Sequence, residues 1–408
     1  MINKNIITTL ACLLLSMTAI AQTAADVANL RKQANAGNVK SQVALGNCLL
    51  SGKGVKSNFT EAAQWFRKAA DKGNIEAQFN LAFCYEKGYG VAKSMEEAVK
   101  WYTKAAEKGN LQAMNSLGHC YDVGDDGFDK NYAKAAEWYR KAADKGYAGA
   151  QFNLGLCYAR MKGVDLDYKE AVKWWTKAAN QGNPNAISSL AYSYLNGEGV
   201  DRNPKQAAIF FRQLADAGDV RSQYELGKLY AQGDGIDQDI ETALNYYHKA
   251  ADKGYAPAQL ALGRHYDSGK YVPQDYELAA EWYMKAAQQG NIEAQYNIGN
   301  MYFNGMGIEK NYEEAFSWME KAALQGHTPA MTGLGICYYY GYGVKRSKDT
   351  GRSWVNKAAI MGDEYAKETL QRMKLLSVSF SAGMLHVGAL KVITFGTAVM
   401  LHRHSNPE

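Results

Sequence analysis

Residues 73–109 read GNIEAQFNLAFCYEKGYGVAKSMEEAVKWYTKAAEKG. Ala77, Leu81, Cys84 and Tyr85 recur at helical spacing and form one apolar face. Gly88 and Gly90 break that pattern. A second periodic run follows, with Ala98, Trp101, Tyr102, Ala105 and Ala106 on one face, and Gly109 ends it. The stretch therefore predicts two antiparallel helices joined by a short glycine loop. The same word begins again at residues 290–297, GNIEAQYN, so the unit is repeated.

The glycine that closes the unit gives the period. It recurs as Gly37, Gly73, Gly109, Gly146, Gly182, Gly218, Gly254, Gly290, Gly326 and Gly362. Every step is 36 residues except Gly109 to Gly146, where the loop VGDDGFD holds one extra residue around Asp125. Nine units thus lie between Gly37 and Gly362. A helix pair of this size cannot bury its apolar face alone, and stacking the pairs buries a continuous core.

The helix boundaries are written into the sequence. The residue before each second helix is Asn58, Ser94, Asn131, Asp167, Asn203, Asp239, Asp275, Asn311 or Ser347. All are cap formers whose side chain accepts a bond from a free helical N–H. Glu61, Glu97, Glu170, Gln206 and Glu314 sit three residues on, which predicts five capping boxes. Asn38, Asn74, Asn110, Asn183, Asp219 and Asn291 cap the first helices in the same way. A mid-helix column is almost all glycine: Gly46, Gly118, Gly155, Gly227, Gly263, Gly299 and Gly335, with Ala82 and Ala191. Glycine there costs about 1 kcal/mol relative to alanine, so its recurrence predicts close approach of the partner helix. The Trp column of the second helix and the Tyr column of the first are expected to fill the rest of the core.

The pattern A-x-x-G-x-x-x-A-Q-x-x-L-G-x-x-Y-x-x-G-x-G-V, followed by W-x-x-K-A-A, resembles the Sel-one-like repeat (SLR) family, relatives of the tetratricopeptide repeats. The resemblance implies an all-α, right-handed solenoid (superhelix) of nine 36-residue helix-turn-helix repeats at 38–362. Residues 22–37 read as an N-terminal capping helix and 363–374 as a C-terminal one with a polar outer face. Some cysteine-rich members carry two cysteines per repeat and are linked to penicillin binding. Here each repeat has at most one, so that activity is not carried over, and a hydrolase of that kind stays an alternative reading.

The two ends of the chain differ from the repeats. Lys4, an apolar run from Ile6 to Ile20 and the small-x-small triplet Ala19-Ile20-Ala21 predict a secretory signal peptide at 1–21. A membrane anchor would need about 20 apolar residues without a cleavage signal. The protein is therefore expected to be exported, periplasmic or secreted, in the manner of bacterial envelope proteins. The tail 375–408 is apolar and out of register, with Lys391, Gly383, Gly388 and Gly396 inside it. Its readings are a disordered or loosely packed extension, an out-of-frame ending, or an anchor that would make this an envelope-attached structural protein.

Chemistry is sparse. The 46 basic and 41 acidic residues nearly cancel and are interspersed, which argues against a nucleic-acid partner. His119, His248, His265 and His327 lie in different repeats without metal-ligand spacing, so no metal and no cofactor is expected. Cys48, Cys84, Cys120, Cys157 and Cys337 share one repeat column with Ser193, Leu229, His265 and Met301, which describes a small buried pocket. Equivalent positions should lie about 8–10 Å apart, beyond the roughly 7 Å Cα limit of a disulfide, so free thiols are expected.

What remains is surface, and protein or peptide ligands are the expected partners, bound without catalysis along the concave face lined by first helices. Membrane association would come only through the 375–408 tail. By tetratricopeptide analogy, the face uses positions two and five to either side of the shared Leu. That selects Phe79 and Phe83 in repeat two, His119 in repeat three, Phe152 in repeat four and Tyr192 in repeat five. It adds Tyr224 and Lys228 in repeat six, Arg264 in repeat seven, and Tyr296, Asn300 and Phe303 in repeat eight. Beside them, Asn80, Asn153 and Asn297 are expected to bond a ligand's backbone.

Overall fold

The computed structural model describes residues 23–125 and 127–381. All regular structure among these residues is helical, apart from one isolated bridge between Asp125 and Phe128. A leading helix, Ala24–Asn35, precedes nine helix pairs. The first helices are Val39–Ser51, Ile75–Lys87, Leu111–Val123, Ala148–Ala159, Pro184–Asn196, Val220–Gln232, Ala256–Ser268, Ile292–Asn304 and Thr328–Tyr340. The second helices are Phe59–Asp71, Met95–Glu107, Tyr132–Asp144, Tyr168–Ala179, Pro204–Asp216, Ile240–Asp252, Tyr276–Gln288, Tyr312–Leu324 and Lys348–Ile360. The last helix, Glu364–Ser381, runs past Lys374, where the sequence placed the end of the cap. The signal peptide at 1–21 and most of the tail lie outside the described residues. The fold is an all-α helical repeat, and the chain forms two compact units that divide between Arg202 and Asn203.

Every second helix is capped as expected, with the cap side chain accepting from the backbone three residues on. The capping boxes, however, form only this half. Glu61 turns instead to Arg31 and to the Trp65 indole, while Glu97 and Glu170 pair with Lys100 and Lys173. A charged or indole partner outcompetes a solvated cap N–H for the carboxylate. The reciprocal box appears at the leading helix, between Thr23 and Asp26.

The glycine column does mark the close approach, but the partner is not the tryptophan. A Cβ added at Gly46, Gly118, Gly155, Gly227 or Gly263 would meet the ring of Phe66, Tyr139, Trp175, Tyr247 or Tyr283 at 2.4–2.8 Å. These rings follow the Trp column by one residue and are buried. In the Trp column, Trp65, Trp101, Trp174 and Trp282 are buried in the core as expected, and Trp138, Trp318 and Trp354 are half-buried. The lysine of W-x-x-K lies over its indole face, at 3.9 Å for Lys104 on Trp101 and 3.7 Å for Lys321 on Trp318. The Tyr column, expected in the core, is only half-buried. Tyr85, Tyr158 and Tyr230 are half-buried, and their hydroxyls accept from Arg67, Arg140 and Arg212.

Two devices bind repeat to repeat. The buried Gln in the first turn of the first helix (Gln42, Gln78, Gln151, Gln223, Gln259 and Gln295) donates to an Ala carbonyl of the preceding helix at 3.1–3.3 Å. Gln181, Gln289 and Gln325 then donate to the free oxygen of the Gln thirty residues earlier. The second device is the G-x-G loop. A Cβ at Gly90 would lie 2.1 Å from the Phe59 carbonyl oxygen, because the loop rests on the backbone that starts the previous second helix.

Met161 is the exception in the loops. It holds φ 53° where eight other repeats have glycine, and it is the non-glycine residue with positive φ among the described residues. An L side chain there costs roughly 1–2 kcal/mol, and Met161 is 67% exposed, so no packing compensates. Met161→Gly should therefore stabilise the protein by about 0.5–1 kcal/mol after the extra unfolded-state entropy of glycine. Denaturant unfolding checks this, and an unchanged midpoint would contradict it.

Candidate binding face

Within each unit the first helices lie side by side and bond across the gap. In the first unit Asn80 donates to Asn47 at 3.0 Å, Asn47 donates to Glu76 at 3.2 Å, and Asn153 donates to Asn115 at 2.9 Å. Lys162 pairs with Asp122 at 2.7 Å. In the second unit Arg264 pairs with Glu293 across the gap, while Lys228 pairs with Glu225 on its own helix at 3.4 Å. Asn80 and Asn153 were expected to serve a ligand's backbone. Their amide N–H groups instead tie neighbouring repeats together.

The aromatic residues divide into two sets. Phe79, Phe83, Tyr296 and Phe303 are buried, each below a tenth exposed. Phe79 packs on Tyr102, Phe83 on Tyr89, Tyr296 on His327, and Phe303 on both Tyr312 and Tyr342, with centroids 4.9–5.8 Å apart. These four rings are taken up by packing rather than left open to a ligand, since a buried aromatic gives its area to the core. Phe152, Tyr192 and Tyr224 stay half-exposed, as do Asn153, Lys228, Arg264, Asn297 and Asn300. His119 is exposed.

Sequence reasoning missed part of this face. Tyr255 packs edge-on against Tyr224, and the His327 ring lies over Tyr296. Both belong to the column that is otherwise Asn or Asp, the cap of the first helix. Tyr255 and Tyr147 make no side-chain cap bond, whereas His327 caps through Nδ1, which accepts from the Ala330 N–H at 3.2 Å. The departure from Asn in that column was the available signal. Glu86, five residues past the shared Leu81 and so placed by the same rule on this face, accepts from the buried Tyr102 hydroxyl at 2.8 Å.

Cys48, Cys84, Cys120, Cys157 and Cys337 are buried free thiols. Burial pushes Cys84, Cys120 and Cys337 up to about 12. A thiol raised in the folded state adds stability below its ordinary value of 9.0 and loses it as pH rises toward about 12. Two results follow. At pH 8 the native thiols should alkylate only as fast as the chain unfolds, and stability should fall as pH rises above about 9. Rapid alkylation of the native protein, counted by mass spectrometry, would contradict this.

Among the described residues no group of three or more His, Cys, Asp or Glu is placed to hold a metal. No described helix is long and apolar enough to cross a membrane.

Comparison with known proteins gives one consistent answer. The Sel1 repeat matches nine times, at 39–74, 75–110, 111–147, 148–183, 184–219, 220–255, 256–291, 292–327 and 328–363. The third match carries the extra residue. A Sel1 repeat protein from Oxalobacter formigenes is 33% identical, covering 80% of this chain and 92% of that one, with a TM-score of 0.61. A protective antigen present in uropathogenic Escherichia coli strains, with an SLR fold, is 29% identical and covers 92% and 93%, with a TM-score of 0.52. The curated proteins contain no match.

Proposed function

The chain belongs to the Sel1 repeat family, whose members are generally protein-interaction scaffolds, and from that premise we propose that it is an exported, non-catalytic adaptor that holds protein or peptide partners on its first-helix face. One observation carries the reading. Around the shared Leu, the packing columns keep Ala, Gly and Leu in repeat after repeat. The half-exposed columns beside them change in kind: His119, Phe152, Tyr192, Lys228, Arg264 and Asn300. A solenoid needs the first set to be constant for stacking and leaves the second set to a partner. Tyr and Arg are also the side chains that most often dominate interface energy. Export rests on the leader-like residues 1–21.

The test uses full-length protein in its native cell. A photo-crosslinking residue is placed at Tyr192, Tyr224 or Lys228, and in parallel on second helices of the second unit at Met284 or Glu320. Discrete polypeptide adducts from the first-helix positions alone are the expected result. Adducts equal from both faces, or none, would sink the binding face. Export is read separately: the envelope form should begin at Gln22, and a cytoplasmic full-length form would remove that half of the reading.

A further inference from the structure

The second helices carry a charge difference between the two units that the balanced net charge conceals. In the first unit, the second helices with their closing turns (59–72, 95–108, 132–145 and 168–181) hold 13 Lys and Arg against 8 Asp and Glu. In the second unit the corresponding stretches (204–217, 240–253, 276–289, 312–325 and 348–361) hold 9 against 9.

The cations of the first unit are ordered. Lys68, Lys104, Lys141 and Lys177 take one register position in successive repeats, and each is held over its own Trp ring at 3.8–4.1 Å. All four are exposed. Because each ammonium already has a fixed place, less side-chain entropy is lost when a partner meets it. Successive second helices meet through side chains, with Arg67 5.5 Å from the Trp101 ring, so the row advances by about 10 Å per repeat. Carboxylates lie between the cations, and Glu97, Glu137 and Glu170 pair with Lys100, Lys141 and Lys173.

We propose that the second-helix face of the first unit is a docking surface for an acidic polypeptide whose carboxylates recur about every 10 Å, a surface separate from the first-helix face. A helix supplies that interval once per heptad, at ~1.5 Å per residue. The interspersed carboxylates select the class of partner. A bilayer or a nucleic acid presents a continuous sheet of anions, which would be repelled at every Glu and Asp of this face. A polypeptide can set its own acids opposite the lysines and place neutral residues opposite the glutamates.

The probe is a synthetic helical peptide with a glutamate pair in each heptad, titrated against the full chain at about 50 mM and about 200 mM salt. Binding should weaken at least about tenfold at the higher salt, and a scrambled peptide of equal composition should bind more weakly. Lys68→Gln, Lys104→Gln, Lys141→Gln and Lys177→Gln together should reduce affinity at least about tenfold. The matching set in the second unit, Lys249→Gln, Lys285→Gln, Lys321→Gln and Lys357→Gln, should change it less than about twofold. Should the quadruple variant fail to fold, Lys100→Gln with Lys173→Gln, which leaves the Trp-stacked row intact, must still lower affinity. Equal losses from both units overturn the proposal. So does equal binding of the scrambled peptide. Tighter binding of phosphatidylglycerol vesicles or duplex DNA through the same lysines would also overturn it.

Discussion

Gly263→Ala is expected to destabilise the protein by about 1–2 kcal/mol, although alanine is the better helix former by about 1 kcal/mol. The added Cβ would lie 2.5 Å from the Tyr283 ring. That ring is 1% exposed and its hydroxyl is directed at Asp267, so it has nowhere to swing. Gly263→Leu should cost more than 3 kcal/mol. The same change at Gly299 makes the internal control. There the Cβ meets the flexible Met319 side chain at 3.1 Å, and Gly299→Ala should fall within about 0.5 kcal/mol of neutral, since the helix gain offsets a small shift. Combining Gly263→Ala with Tyr283→Met should recover most of the loss. Chemical denaturation of the four variants measures all of this. Equal effects at Gly263 and Gly299 would show that the ring is not the cause.

The second large effect is expected in the loop. Gly90→Ala should cost at least 3 kcal/mol, because two penalties add. The residue holds φ 70°, and the new Cβ would sit 2.1 Å from the Phe59 carbonyl oxygen. Backbone cannot rotate out of the way as a side chain can, so repeats one and two must separate locally. Gly88→Ala isolates the first penalty. It has φ 72°, but its Cβ would meet only Lys93 at 3.4 Å, so about 1–2 kcal/mol is expected. A solenoid's stability is roughly a sum of repeat and interface terms. Gly90→Ala should therefore also broaden the unfolding transition, as the first repeat loses its coupling to the rest. A sharp transition with a small shift would contradict the inter-repeat role.

The binding face was only half legible. The columns around the shared Leu were placed correctly on the first helix, since 3.6-residue periodicity fixes a face within a helix. Periodicity does not say how far the next helix covers that face. Phe79 and Tyr296 sit in the same column as Tyr224, yet the first two are buried and the third is half-exposed. Ring contacts do not account for it, since Tyr247 and Tyr255 lean on Tyr224 as Tyr102 leans on Phe79 and His327 on Tyr296. The Asn positions failed for a related reason. A polar side chain beside an empty groove and one bonded to its counterpart one repeat away look the same in sequence.

The amino-acid sequence by itself determined the repeat number, the helix boundaries and the all-α class. Those depend on local chemistry: caps at Asn58 or Asp239, left-handed glycines at Gly73 or Gly290, and one apolar stripe per helix. Tertiary structure alone decided what fills the space opposite each mid-helix glycine, a ring at Gly46, Gly118, Gly155, Gly227 and Gly263, and Met319 or Val355 at Gly299 or Gly335. It also decided which tryptophans are buried and which half-buried, that Glu61 serves Arg31, and that four expected anchors are core. The contacts between helices depend on distances between segments far apart in the chain, 18 residues for Arg67–Tyr85 and 40 for Lys162–Asp122, set by side-chain volume at the contact. No local pattern encodes that volume until the partner is in place.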